Sequence, residues 1–536
     1  RNHPDFANSA LQVCHFDSGG VHFGSGVPNH AFAMLTDGKS FNGFSVTGIG
    51  PIKAGAIWYR ALTVYLTPAS DFADSYDALL QAGADLIGFD PNDPRNGLPS
   101  GSPITAADIV ELDEALLAVE LNTEGTCGET DPGLDGAPAI ECGGSTVIFS
   151  DDFEGGVNGW TVSNTVPPTP YDWVQVADLP KNRPGTAWFV DDADIGNCGS
   201  IDESAVHSLF SPAIPIPAGS DAPYLSFAHF FGTEGGFDAG NLKLSVNSGP
   251  WTVVPRTAYD FNAHNGRANT LAQDNTNPLA GEGAWTGLSK NWGTSVVNLT
   301  GLVVVGDVVQ LRFDFGKDGC AGTVGWYIDD VRLYSCPDCD DSGAADIDEV
   351  QFAEASPLLG PIGSGSPQAH TLVSPPAAGG DVTIRVHARG DFLAANEYMD
   401  LTLNGTPIDR LLEVSAGRCP GNPDFQRVIV SSEDWNALVP GGNAVLAMTA
   451  TSAVNAGGSC GSSSYVLLTV NYAIAGSTDC NFNGSLDGCE LSVAGIAAFV
   501  DSLLGNAPFT CVFDLFVDGE IDGRDIQPVV DTLLEI

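Results

Sequence analysis

From Thr146 onward the chain changes its period. Stretches such as "YLSFAHFF", "NLKLSVN", "VVQLRFDF" and "WYIDDVRLY" alternate apolar and polar residues. That two-residue repeat sends successive side chains to opposite faces of a strand. Turn signals recur between the stretches, so residues 146–335 are expected to form a β-sandwich. A second block, "DVTIRVHARG", "EYMDLTLNG", "QRVIVS", "NAVLAMTATS" and "SYVLLTVNYAI", predicts another sandwich over 370–476. Upstream of Thr146 the period is helical. "AGAIWYRALTVYLT" places Ile57, Ala61, Leu62 and Tyr65 on one stripe. A further helix is expected after an N-cap at Ser70 or Asp71, and another from near Thr105. The Gly/Pro/acid run at 124–145 reads as a linker, and 336–369 as a linker carrying a calcium loop. After 477 the chain returns to helix, in two short amphipathic pieces beyond Glu490 and Asp525. The expected fold class is multidomain α+β: a helical domain over 1–123, two sandwiches, and a small α-helical calcium-loop domain over 477–536.

Charge narrows the partners. The 536 residues carry a net charge of −47, with only 20 Lys and Arg against 67 Asp and Glu. Phosphate-backbone binders concentrate basic side chains, so a nucleic-acid partner is excluded. No apolar run approaches the roughly 18 residues that a membrane-spanning helix needs, so no span is expected. The chain opens on Arg1 without a signal peptide, which reads as a mature product or a fragment. Its 12 cysteines fall as the local pairs Cys127/Cys142, Cys198/Cys320, Cys336/Cys339, Cys419/Cys460 and Cys480/Cys489, leaving Cys14 and Cys511. With no second C-x-x-C to complete a zinc ribbon, disulfides of an exported, extracellular protein are the expectation.

Part of the acid has the spacing of calcium ligands. "DCNFNGSLDGCE" sets Asp479, Asn481, Asn483, Asp487 and Glu490 at positions 1, 3, 5, 9 and 12 of a loop, with Gly484 at its sharp turn. "DLFVDGEIDGRD" repeats the pattern with Asp514, Asp518, Asp522 and Asp525, though Phe516 occupies a ligand position. "DCDDSGAADIDE" offers Asp338, Asp340, Ser342, Asp346 and Glu349. Ca2+ is the expected cofactor of all three, and acidic turns that bind nothing are the alternative. The two tandem loop–helix units at the C-terminus resemble dockerins, which implies a cohesin-like or surface partner.

"DSGGVHFGSGVPNHAF" poses a separate question. His22 follows Asp17 by five residues among glycines, and is either an oriented imidazole or an ordinary loop histidine. This stretch, followed by "VTGIGPIKAGAIWYRALTVYLTPASDFADSYDALLQAGADLIG", resembles the C-terminal half of the thermolysin-like neutral metallopeptidases over residues 1–122. The resemblance implies that His22 is catalytic, donating to the oxyanion formed at a scissile carbonyl. It also implies that Asp17 bonds the other ring nitrogen, and that the substrate is a protein or peptide. His15 and His30 have no ligand role in the family and are expected to be structural. The family's zinc is held by an H-E-x-x-H helix, and none of the nine histidines here begins one. The Zn2+ ligands are therefore expected upstream of residue 1, with this chain inactive by itself.

"SDDFEGGVNGWTV", "HSLFSPAIPIP" and "GWYIDDVRLY" resemble the MAM-like jelly-roll modules that trail secreted bacterial metallopeptidases. Asp152, Glu154, Asp238 and Asp330 are candidates for a structural calcium there, with solvated strand-end acids as the alternative. Trp251, Trp285 and Trp292 are candidates for a sugar platform, with core packing as the alternative. The leading expectation for the whole is part of a secreted zinc metalloendopeptidase. The competing one is a non-catalytic adhesion, scaffold or glycan-binding protein that retains a decayed peptidase half.

Overall fold

Helix boundaries in the N-terminal part obey local capping chemistry. The structure is a computed structural model that describes residues 3–9, 11, 22–66, 70–123, 133–137, 142–164, 172–193, 197, 201–270, 275–338, 344–413, 419–454, 460, 463–476, 486, 496–504, 513, 521, 524, 526–527 and 529–530. Among the described residues, the N-terminal unit is built on the helices α1 (Gly26–Asp37), α2 (Pro51–Arg60), α3 (Phe72–Asp85) and α4 (Ala106–Ala118). Helix α3 starts where Asp71 accepts from Asp74 N while Asp74 accepts from Asp71 N, both at 3.0 Å. Thr105 and Asp108 make the same reciprocal box at the start of α4. Such a box satisfies two of the donors that every helix N-terminus leaves orphaned. Helix α1 buries Val27, Ala31, Met34 and Leu35, one face at helical spacing. It packs with Ile57, Leu79, Leu112 and Leu116 in a single core. Each such large apolar side chain contributes about 1.5–3 kcal/mol on burial.

One expectation on this stripe fails. Residues Ala61–Tyr65 continue α2 as a π-helical turn, whose wider winding rotates the side chains beyond it off the helical stripe. Ala61 is buried, but Leu62 stands 66% exposed. Tyr65 instead donates its hydroxyl to Asp85, which also takes Arg60 Nη2 at 2.7 Å.

The first sandwich has two antiparallel sheets. One runs Thr252–Val253, Ala239–Val246, Val308–Lys317, Ala205–Phe210 and Thr161–Asn164, with Ile214–Pro215 beside Val308–Lys317. The other runs Tyr259–Phe261, Gly293–Asn298, Pro223–Gly232, Gly325–Ser335, Ala187–Asp191 and Val174–Val176, with Thr146–Asp151 paired to Gly325–Ser335. The sheets close on Trp160, Trp188, Phe227, Trp285, Phe313 and Trp326. Every residue of Pro223–Gly232 is buried, so the alternation read in "YLSFAHFF" does not mark a solvent face. The second sandwich faces Gln351–Ala355, Tyr465–Ala473, Val382–Arg389 and Asp424–Val430 against Gln368–Leu372, Ala444–Ala450, Met399–Leu403 and Thr406–Leu411. There the alternation holds: Met399–Leu403 buries every second residue.

Both expected linkers contain ordered sandwich structure. Leu134 is buried in the first sandwich's core, and Asp135 N donates to Asn262 Oδ1 at 2.8 Å. In 336–369, Asp346–Val350 is a short helix and Gln351–Ala355 is a strand registered against Thr469–Ala473. A buried guanidinium joins the two sandwiches. Arg256 donates to the carbonyls of His264, Ser356 and Leu468 and to Thr469 Oγ1, at 2.7–3.0 Å. Burial pulls its pKa down to about 9, so it stays charged at neutral pH.

The cysteines depart from local pairing. Cys142 bonds Cys336 across 194 residues, with Cα atoms 5.7 Å apart, in place of the expected Cys127/Cys142 and Cys336/Cys339. Cys419–Cys460 forms as read. In the C-terminal part, Ile496–Leu503 is helical, and Phe499, Phe513 and Val529 form a small apolar cluster. Among the described residues no helix is long and apolar enough to cross a membrane.

Candidate functional site

His22 opens a helical turn, 22–24, immediately before α1, and its side chain is exposed. Ser25 Oγ donates to the His22 carbonyl at 2.8 Å and closes the turn. The N-terminal segment packs across its base: the His3 ring stacks on Phe23 at 5.3 Å. Gly26 is required there, because a Cβ would lie 2.3 Å from Pro4 O. An imidazole is thus carried on an anchored turn with its ring toward solvent. Asp17 and His15 lie outside the described residues.

His30 is structural, as expected. Its Nε2 accepts from Lys39 Nζ at 2.8 Å, which leaves Nδ1 to carry the proton and donate to Asp5 O at 2.8 Å. That network assigns the neutral tautomer. Two histidines of the first sandwich, His229 and His264, are core fillers. His229 and His264 surround Trp285 with ring centroids at 4.8 and 4.5 Å. Burial drives His229 well below the usual imidazole range and His264 down to about 3.

A zinc site does not fit these residues. Among the described residues, the one group of three His, Cys, Asp or Glu side chains close enough to share an ion is Glu234, Asp238 and Asp318. It is all oxygen, whereas zinc sites are built on His and Cys. No step of peptide hydrolysis is therefore assigned through a metal held by this chain.

The structure separates the four proposed sandwich calcium ligands. Asp152 and Asp330 line one hollow with Asn158 and Arg332. Glu154 Oε1 accepts from Thr186 N at 2.6 Å. Asp238 lies past the end of Pro223–Gly232, several residues further along the strand pair that bears Asp330. Asp151, not singled out from the sequence, is the buried acid of "SDDFEGG". It accepts from Phe153 N at 2.9 Å, Asn158 Nδ2 at 3.0 Å and Trp160 Nε1 at 3.0 Å. A count of acids could not find it, because its partners are a backbone amide and an indole.

The three tryptophans make no common platform. Trp285 is fully buried; Trp251 lies under the Arg312 guanidinium at 4.8 Å; Trp292 packs beside Phe230 and Tyr327. Of the calcium loops, Asp479, Asn481, Asn483, Asp487, Glu490, Asp514, Asp518, Asp522, Asp525, Asp340 and Ser342 lie outside the described residues. Asp338, Asp346 and Glu349 are described. Asp346 is fully buried at the start of a helix, with its N bonded to Pro337 O at 2.9 Å. Leu486 packs on the same cluster, beside Ile347 and Cys336.

The anchored turn and its four-helix core define a class. Residues 1–94 match the thermolysin metallopeptidase alpha-helical domain, so the N-terminal part of the chain is a thermolysin-like C-terminal helical domain. Over 72 residues it is 53% identical to a thermolysin of Alicyclobacillus acidocaldarius subsp. acidocaldarius and to a bacillolysin of Bacillus caldolyticus. Each match covers 13% of this chain and 13% of the relative, so the chain spans about an eighth of those relatives' length. Among solved structures, TmCBM61 in complex with beta-1,4-galactotriose aligns at 18% identity and a TM-score of 0.21, over 34% of this chain and 94% of that one. That overlap is too slight to carry an argument about ligand.

Proposed function

We propose that this chain is the C-terminal part of a secreted, zinc-dependent metalloendopeptidase of the thermolysin type that acts on proteins or peptides. The observation that supports this is His22: an exposed imidazole on an anchored turn, within a helical domain 53% identical over 72 residues to thermolysin. In this reading its ring donates an N–H to the oxygen of the scissile carbonyl as negative charge builds there. A donor placed for the transition state contributes more than one placed for the ground state. Asp17 accepts from the other ring nitrogen, which fixes the ring's direction. The zinc ligands and the general base belong to sequence upstream. The tail over 477–536, with Ca2+ in its two loops, serves as a dockerin-like module for a surface or cohesin-like partner.

The test is His22→Ala in the intact protease, read as kcat and KM on a peptide substrate. Turnover is expected to fall about 10²–10³-fold with KM little changed. A loss under about threefold refutes the role, since a single oxyanion donor is worth far more than that. Reading the coding sequence upstream of Arg1 for an H-E-x-x-H tests the parent reading. A start codon and signal peptide directly before Arg1 would instead favour the non-catalytic scaffold.

A further inference from the structure

Three separate loops at one end of the first sandwich bring carboxylates together. Asp192 follows Ala187–Asp191, Glu234 and Asp238 join Pro223–Gly232 to Ala239–Val246, and Asp318 follows Val308–Lys317. One carboxylate oxygen from each of Glu234, Asp238 and Asp318 lies within 4.8 Å of the others. Asp192 lies against Asp238 in carboxylate-to-carboxylate contact. Asp192 is fully buried, Asp238 is 1% exposed and Asp318 is 5% exposed.

Hydrogen bonds account for only part of this charge. Asp192 Oδ2 accepts from Thr323 N at 3.1 Å and Glu234 N at 3.3 Å. Asp238 Oδ1 accepts from Asp318 N at 2.6 Å, and Asp318 Oδ1 accepts from Cys320 N at 3.0 Å. Asp192 Oδ1 is buried and, among the described residues, takes no N–H or hydroxyl donor, with the Asp238 carboxyl lying against its side chain. The nearby ammonium, Lys317 Nζ, is engaged with Glu203 Oε2 at 3.2 Å and the Ala193 carbonyl at 3.1 Å. Asp192, Asp238 and Asp318 thus bring three buried carboxylates together beside the Lys317 ammonium. A cluster like this needs either protons or a cation.

We infer that Asp192, Glu234, Asp238 and Asp318 bind one Ca2+ at this end of the sandwich. The donor set is all oxygen, as a hard cation requires. Ca2+ takes ligands at about 2.3–2.6 Å, so oxygens on opposite sides of one ion stand about 5 Å apart, which the 4.8 Å spacing admits. The ion gives Asp192 Oδ1 its missing partner and ties the loop after Ala187–Asp191, in one sheet, to the two loops at the end of the Ala239–Val246/Val308–Lys317 ladder of the other. This site is distinct from the Asp152/Asp330 hollow and from the C-terminal loops, and it stands independently of the peptidase reading.

The experiment is calorimetric titration of the decalcified full chain with Ca2+ alone, comparing wild type with Asp238→Asn. The variant is expected to bind one Ca2+ fewer, or to bind one at least about tenfold more weakly, because ligand charge sets calcium affinity. Equal stoichiometry and affinity overturn the site. If the cluster instead shares a proton, Asp192→Asn raises calcium-free stability at neutral pH and leaves Ca2+ binding unchanged, which also overturns it. Should Asp238→Asn fail to fold, wild-type crystals soaked in Tb3+ decide. An anomalous peak among the four carboxylates supports the site, and none there refutes it.

Discussion

Asp151→Ala removes one carboxylate that holds the first turn of the sandwich closed. Oδ1 ties Phe153 N and Asn158 Nδ2, and Oδ2 ties Trp160 Nε1. Phe153 and Asn158 both sit in the left-handed region, at φ 59° and 44°, where a non-glycine backbone needs support from its surroundings. Asn158 is exposed and can turn its amide to water. The Phe153 amide and the Trp160 indole cannot, because both residues are buried in the core. Each orphaned buried donor costs about 1–3 kcal/mol, so the expected loss is about 4 kcal/mol. For a sandwich of this size that lowers Tm by about 8–16 °C. Asp151→Asn keeps the volume and one acceptor, so its loss falls between Ala and wild type, about 1–3 kcal/mol. Since a multidomain chain does not unfold in one step, the assay pairs calorimetry with hydrogen exchange of peptides covering 146–164. If Asp151→Ala melts within about 2 °C of wild type, the reasoning is wrong, because two orphaned donors at about 1 kcal/mol each already lower Tm by about 4 °C or more.

Other perturbations test separate links. Gly240→Ala would place a methyl 2.4 Å from the Trp326 ring, which is fully buried against Trp285 and Trp173. Overpacking costs about 1–3 kcal/mol, and an unchanged urea midpoint by tryptophan fluorescence would contradict the packing. His387 has both ring nitrogens buried without a partner, and burial, with Arg256 and Arg385 nearby, lowers its pKa to about 3. Between pH 6.5 and 3 the unfolded chain therefore binds the extra proton, so stability falls with falling pH, by about 1.4 kcal/mol per unit for this group. His387→Leu should flatten that slope and raise neutral-pH stability by about 1 kcal/mol; an unaltered acid-unfolding curve would refute it. Chelating Ca2+ should loosen residues 477–536, and a melt of that region indifferent to chelator would remove the calcium loops from the tail.

Local chemistry was legible in the order of the residues. Asp71 and Thr105 start their helices because each finds its carboxylate partner three residues on, within reach of one turn. The alternation of "EYMDLTLNG" became a strand with one buried face because that sheet is covered on one side only. The glycine-flanked His22 was singled out through the resemblance of its stretch to a peptidase family, and the structure places it exposed on a helical turn. Leu62 was misread because a π-turn adds a residue to the winding, which a fixed helical period cannot anticipate.

The meetings of distant residues came from tertiary structure alone. Cys142 found Cys336 across 194 residues because Thr146–Asp151 pairs with the far end of Gly325–Ser335, and that ladder brings the two cysteines beside each other. Asp192, Glu234, Asp238 and Asp318 share no spacing, since three loops supply them and only the strand order brings those loops to one edge. Capping, alternation and turn chemistry act over a few residues, so the sequence carries them openly. The charge cluster and the disulfide are consequences of sheet register, which is set by burying one core between two sheets.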